Sequence, residues 1–142
     1  MGTERGRGAA IVTGAGSGIG RAVALELAGR EYPLGLIDIS DDGLRDTARE
    51  AEASGVAVAV EVADVAVATE VESAVASLEA ELGAVEAAVA CAGIEVTGDI
   101  ATVDLAEWKR VFAVNTDGVM HLARYTIPAI ERRGGGAFVA IS

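Results

Sequence analysis

The feature that most constrains this chain is a glycine-spaced loop set between an apolar run and a helical one. Residues 9–12 are wholly apolar, and Thr13-Gly14-Ala15-Gly16-Ser17-Gly18-Ile19-Gly20 follows directly. Residues 18–30 then place Ile19, Val23 and Leu27 on one helical face. Glycines let the chain turn sharply and let a ligand come close to the backbone. A helix opening at such a loop presents unpartnered N–H groups and a partial positive charge, which suits a pyrophosphate. A tight turn alone would also use glycines; the place after a first strand and before a helix is what a dinucleotide fingerprint requires. The second apolar run, residues 34–39, carries Asp38, eighteen positions after Gly20. An acidic residue about twenty positions on can accept hydrogen bonds from an adenosine ribose. The plainer reading of Asp38 is a solvated aspartate ahead of the helix start Ser40-Asp41-Asp42.

The same alternation continues. Tyr32-Pro33 breaks the first helix. A surface helix is expected over 41–53, a strand over 57–62, a helix over 68–82 and a strand over 85–92. Two helices, 105–112 and 115–133, precede a last strand over 137–141. Strands alternating with helices imply right-handed crossovers and a parallel sheet covered on both faces. Continuously apolar strands fit that burial. The expectation is an α/β, doubly wound, Rossmann-like domain over residues 1–142 with strand order 3-2-1-4-5.

Composition narrows the function. With 11 basic and 22 acidic residues the net charge is −11, which excludes a nucleic-acid binder and disfavours an anionic membrane surface. No apolar run reaches membrane-span length, and Met1 to Gly8 has no apolar leader segment. The one cysteine, Cys91, forms no internal disulfide and fits a reducing compartment. A cytoplasmic protein is expected. No Cys/His cluster has metal-ligand spacing, so no metal is expected.

Together these residues resemble the short-chain dehydrogenase/reductase family. Its Thr-Gly-x-x-x-Gly-x-Gly loop is matched by Thr13, Gly14, Gly18 and Gly20, with Ser17 and Ile19 inside it. Asp64-Val65 after the third strand resembles the pair that contacts the adenine ring. Ala90-Cys91-Ala92-Gly93 resembles the family's Asn-Asn-Ala-Gly segment, and Glu107-Trp108 followed by Val114-Asn115 resembles the helix carrying its catalytic asparagine. The resemblance runs from Ala9 to Ser142. It implies a cofactor site of Gly14, Ser17, Gly18, Ile19, Gly20, Asp38, Ile39, Asp64, Val65, Cys91, Ala92 and Gly93, with Asn115 on the catalytic side. The cofactor expected is NAD rather than NADP, because Asp38 would repel a 2′-phosphate and position 17 is Ser rather than Arg. Arg21 is the one nearby cation. The substrate implied for the intact enzyme is a small alcohol or ketone. The helices after the fourth strand often build a dimer face in the family, so a homo-oligomer through them is expected.

Two departures stand out. Ala90-Cys91 replaces Asn-Asn, so side-chain bonds around the cofactor ribose are lost; Cys91 reads as a small, inert, buried residue. The family's catalytic Tyr-x-x-x-Lys is also absent. Tyr32 and Tyr125 are followed four positions later by Leu36 and Ala129, and the sole lysine is Lys109. Ser142 aligns one position before the family's catalytic serine. The chain thus matches the cofactor-binding half of such an enzyme, cut after its fifth strand. An alternative is a non-catalytic dinucleotide-binding or interaction module. A nucleotide-dependent methyltransferase also has a glycine loop and an acid ending the second strand, but Gly18-Ile19-Gly20 and Ala92-Gly93 speak against it. His121 reads as a surface or interface residue, Trp108 as core or helix packing, and Glu70, Glu72, Glu79, Glu81 and Glu86 as a solvated face.

Overall fold

Each apolar run forms a strand and each periodic segment a helix in the structure, a computed structural model that describes residues 6–142. The start of the stretch read as lacking a leader, residues 1–5, lies outside the described residues. In chain order the elements are β1 (Ala9–Thr13), α1 (Gly18–Gly29), β2 (Leu34–Asp38), α2 (Asp41–Glu52), β3 (Val58–Val62), α3 (Ala68–Leu82) and β4 (Val85–Ala90). Then come α4 (Leu105–Phe112), a π-helical turn (Ala113–Asp117), α5 (Gly118–Arg133) and β5 (Ala137–Ala140). The strands form one parallel sheet in the order β3-β2-β1-β4-β5.

β1 is central and all five of its residues are buried. Ala10 and Val12 face one layer, where Ala24 and Ala28 of α1 and Leu44 and Ala51 of α2 cover them. Ile11 faces the other, with Val71, Val75 and Leu78 of α3 and Leu122 and Ile130 of α5. That double cover is why the pattern runs apolar without alternation. β5 differs: Phe138 is half-buried and Ala137, Val139 and Ala140 are exposed, because β5 pairs with β4 alone among the described strands. The two expected helices at 105–112 and 115–133 are one helical run joined by the π turn, which holds Asn115 at its middle. α4 buries no residue. Trp108, read as core or helix packing, is exposed and packs on Phe112, ring centroids 5.2 Å apart.

Capping side chains fix the helix starts that border the site. Ser40 Oγ accepts from the Gly43 amide at 3.1 Å, and Asp104 Oδ1 from the Ala106 amide at 2.7 Å. The glutamates read as a solvated face are partly engaged instead. Glu79 binds Arg132, and Glu86 accepts from the Gly8 amide and pairs with Arg133.

Candidate functional site

A parallel doubly wound sheet opens a crevice beyond its carboxyl strand ends, where helices leave for opposite faces. Here that point lies between β1 and β4. The glycine loop crosses it, and a cavity of about 260 Å³ lies there. Gly14, Ser17, Gly20, Asp38, Ile39, Asp64, Val65, Cys91, Ala92 and Gly93 all line it, joined by Ala63, Ile94, Arg110 and Val114. Gly18, Ile19 and Asn115 are not among the lining residues.

The loop is shaped for close approach. Gly18 has φ +54 with nothing within 4 Å of where a side chain would begin, so the space over it is open. A Cβ on Gly20 would collide with the Gly14 carbonyl, so glycine alone lets α1 start against the loop. Ser17 precedes α1 in extended backbone and makes no side-chain cap bond. The first-turn amides therefore keep no intrahelical or side-chain cap partner and can meet an anion. Thr13, buried in the floor, accepts from the amides of Cys91 at 3.2 Å and Ala92 at 3.3 Å. The β4 turn is thus held through its backbone, although Cys91 offers no amide side chain. Cys91, expected to be buried, is half-buried and lines the cavity, and desolvation pushes its thiol up, which favours the protonated form.

Asp38 caps the end of β2 with both carboxylate oxygens oriented. Oδ2 accepts from the Gly16 amide at 2.9 Å and Oδ1 from the Ser40 amide at 3.0 Å. It is therefore not a freely solvated aspartate. Ile39 beside it is 66% exposed. Arg21, on α1, is engaged by Glu50 at 2.5 Å.

The turn after β3 is held by several elements. Asp64 Oδ1 accepts from the Ala66 amide at 2.9 Å, and Oδ2 pairs with Arg110 of α4 at 2.8 Å. Burial raises the Asp64 carboxyl, but the Ala66 amide and the Arg110 guanidinium outweigh it, and the group titrates below the ordinary aspartate range. Val65 is buried, close against Gly118, and His121 Nδ1 donates to its carbonyl at 2.8 Å. His121 is half-buried rather than a surface residue. Asn115 Oδ1 accepts from the Ile94 amide and its Nδ2 donates to the Ile94 carbonyl, both at 2.8 Å. It pins the strand of loop just past Gly93. A π turn often marks a functional position in a helix. Thr13, Arg110 and His121 were not legible as site residues, since each acts through a long-range contact; only the position of Thr13 at the head of the glycine loop hinted at a role. Among the described residues no group of three or more His, Cys, Asp or Glu could hold a metal.

The model of the family described as short chain dehydrogenase matches residues 8–142. The chain belongs to that family. It is 40% identical over 135 residues to a glycine betaine reductase of Emericella nidulans, covering 94% of this chain and 10% of that one. To a cyclohexanol dehydrogenase of Acinetobacter sp. (strain SE19) it is 32% identical over 133 residues, covering 92% and 52%. The crystal structure of a 3-ketoacyl-ACP reductase from Sinorhizobium meliloti 1021 superposes with a TM-score of 0.90 at 36% identity, covering 94% of this chain and 53% of that one. The chain spans about half the length of the last two relatives and about a tenth of the first. The family binds nicotinamide dinucleotides and acts on small alcohols or ketones.

Proposed function

We propose that this site binds NAD in preference to NADP and forms the cofactor half of an oxidoreductase acting on a small alcohol or ketone. The observation that carries this is Asp38, an anion held by two backbone amides at the edge of a cavity whose one lining cation, Arg110, is paired with Asp64. A ribose diol can donate to the oxygens of such a carboxylate; a 2′-phosphate would meet a fixed negative charge. The N-terminus of α1 with Gly14, Gly18 and Gly20 takes the pyrophosphate. Ser17 and Ile19 flank it, Ile39, Asp64 and Val65 take the base, and Cys91, Ala92 and Gly93 form the wall nearest β4. Asn115 belongs to the catalytic side, where its grip on Ile94 sets the loop leading from Gly93. The nicotinamide, when bound, accepts or delivers hydride; every group named here binds or orients it. The exposed face of α4, with Leu105, Trp108 and Phe112, supports a homo-oligomer. No described helix is long and apolar enough to cross a membrane, and with the lone cysteine this supports a cytoplasmic setting.

A second reading, a non-catalytic dinucleotide-binding module, rests on the same cavity and the same glycine loop. Calorimetric titration with NAD and NADP tests the binding common to both readings. Tighter binding of NAD by at least about tenfold is expected, since close like charges oppose each other by several kcal/mol and 1.4 kcal/mol is a decade. Equal or tighter NADP binding overturns the role of Asp38.

A further inference from the structure

α1 begins against the usual electrostatics of a helix. Its first turn carries no acidic residue, and Ser17 makes no side-chain cap bond. A helix start is a positive pole that favours anions, yet the first charged side chain along α1 is a cation, Arg21, the only basic residue of that helix. The Arg21 amide donates to the Ser17 carbonyl at 3.1 Å, so Arg21 stands one turn beyond Ser17 on the same face. Ser17 lines the cavity together with Asp38; Arg21 does not. Helical side chains lean toward the N-terminus, which favours a course back along that face toward Ser17. The guanidinium pairs instead with Glu50 of α2. Glu50 stands in a fixed place, because α2 is locked on the glycine loop. The buried Thr47 hydroxyl donates to the Ala15 carbonyl at 2.8 Å, and Gly43 packs on Gly16. The arginines of α2, Arg45 and Arg49, pair within their own helix. Neither Arg21 nor Glu50 is buried, so exchanging one anion for another costs little desolvation.

We propose that Glu50 is a positioning residue for cofactor choice: it holds Arg21 away from the Ser17 side of the cavity, where a 2′-phosphate would find it, and so protects the preference for NAD. This rests on the reading that the site takes NAD rather than NADP. Asp38 opposes a 2′-phosphate directly. Glu50 acts at one remove, by engaging the one cation that α1 could turn toward such a group. Released from Glu50, the guanidinium is left at a positive helix start with no anion beside it. A 2′-phosphate supplies that anion, in a geometry that the guanidinium fork matches. NAD brings no anion to that side, since its pyrophosphate meets the backbone amides of the loop, and gains nothing comparable.

The test is calorimetric titration of the purified protein and its variants with NADP and with NAD. Glu50→Gln should tighten NADP by about fivefold, the scale of one exposed charge pair, and leave NAD within about twofold. Glu50→Ala should do the same. The gain should fade as salt rises, because the contact that produces it is exposed. Arg21→Gln alone should leave the ratio of the two affinities where it is, since its guanidinium is already engaged. Glu50→Gln made in an Arg21→Gln background should give no gain, which separates the release of Arg21 from the simple loss of a negative charge. Glu26→Gln removes a carboxylate paired with Arg30 at the far end of α1 and should not move the ratio either. An unchanged ratio in Glu50→Gln, an equal gain for both dinucleotides, or a gain that survives without Arg21 overturns the proposal while leaving the preference of the unaltered protein for NAD intact. An unaltered protein that binds NADP as tightly as NAD overturns that preference and this inference with it; one that binds neither overturns the dinucleotide reading as well.

Discussion

At the scale of single residues the site rests on two carboxylates with different partners. Asp38 is held by neutral backbone amides and faces the cavity; Asp64 is held by an amide and a cation. Asp38→Ala removes the charge that opposes a 2′-phosphate, so the gap between NAD and NADP should narrow by about tenfold or more in a binding titration; an unchanged ratio would assign the preference elsewhere. Asp64 makes a statement about stability as well. Its folded-state carboxyl titrates below the ordinary range, with burial opposing and the Ala66 amide and Arg110 prevailing. Such a group stabilises the fold above the unfolded aspartate value, about 3.9, and that contribution is lost as pH falls through the folded one. Urea melts taken downward from pH 6 should show the unaltered protein losing more stability than Asp64→Asn over that window, and parallel losses would contradict the assignment. Asp38 was readable from the sequence because its signal is a spacing from Gly20. Arg110 was not: forty-six positions separate it from Asp64, and only the fold brings them together.

At the scale of elements the strands and helices were legible because their apolar periods are strong, while their junctions were not. The π turn is a case in point. Residues 113 and 114 looked like a break between two helices, yet the helix runs through them and places Asn115 where it grips Ile94. Nothing in the local pattern distinguishes a wide turn of helix from a gap. The join of β1 to β4 was hidden for a different reason. The replacement of an Asn-Asn pair by Ala90-Cys91 implied lost side-chain bonds around the cofactor ribose, and nothing in the sequence showed that the buried Thr13 hydroxyl accepts both turn amides. Thr13→Val keeps the shape and strands those amides, a loss of about 1–3 kcal/mol, visible as a fall of several degrees in the thermal midpoint. An unchanged midpoint would show that the turn needs no such acceptor. The α4 face and the β5 edge both leave apolar side chains uncovered. Leu105, Trp108, Phe112, Val139 and Ile141 are all exposed, and β5 has one strand neighbour among the described residues. Open edges and bare apolar faces self-associate. Light scattering across a concentration series should therefore show species larger than a monomer, and a monodisperse monomer at high concentration would contradict it.

At the scale of the whole molecule, binding and chemistry separate. The glycine loop, the start of α1, Asp38 and Asp64 all border one cavity, the place proposed above for the dinucleotide. Hydride transfer to a carbonyl also asks for a proton at the oxygen, and a positioned general acid contributes roughly 10²–10⁴-fold. The residues of the right type stand elsewhere. Tyr32 is half-buried against the α1 layer, with the Arg7 guanidinium 4.5 Å from its ring centroid. Tyr125 packs against the opposite core from α5. Lys109 is exposed on α4 and follows neither tyrosine at the needed spacing. None of the three lines the cavity. A loosely held reacting geometry can by itself remove about 10²-fold. We therefore expect the 142-residue polypeptide to bind NAD and yet turn over no alcohol or ketone. The measurement is NADH absorbance across a panel of secondary alcohols and ketones, with NAD binding confirmed on the same sample and an active full-length relative run alongside. A rate near that of the relative would sink the argument and require an acid–base group within these 142 residues that neither tyrosine nor the lysine supplies.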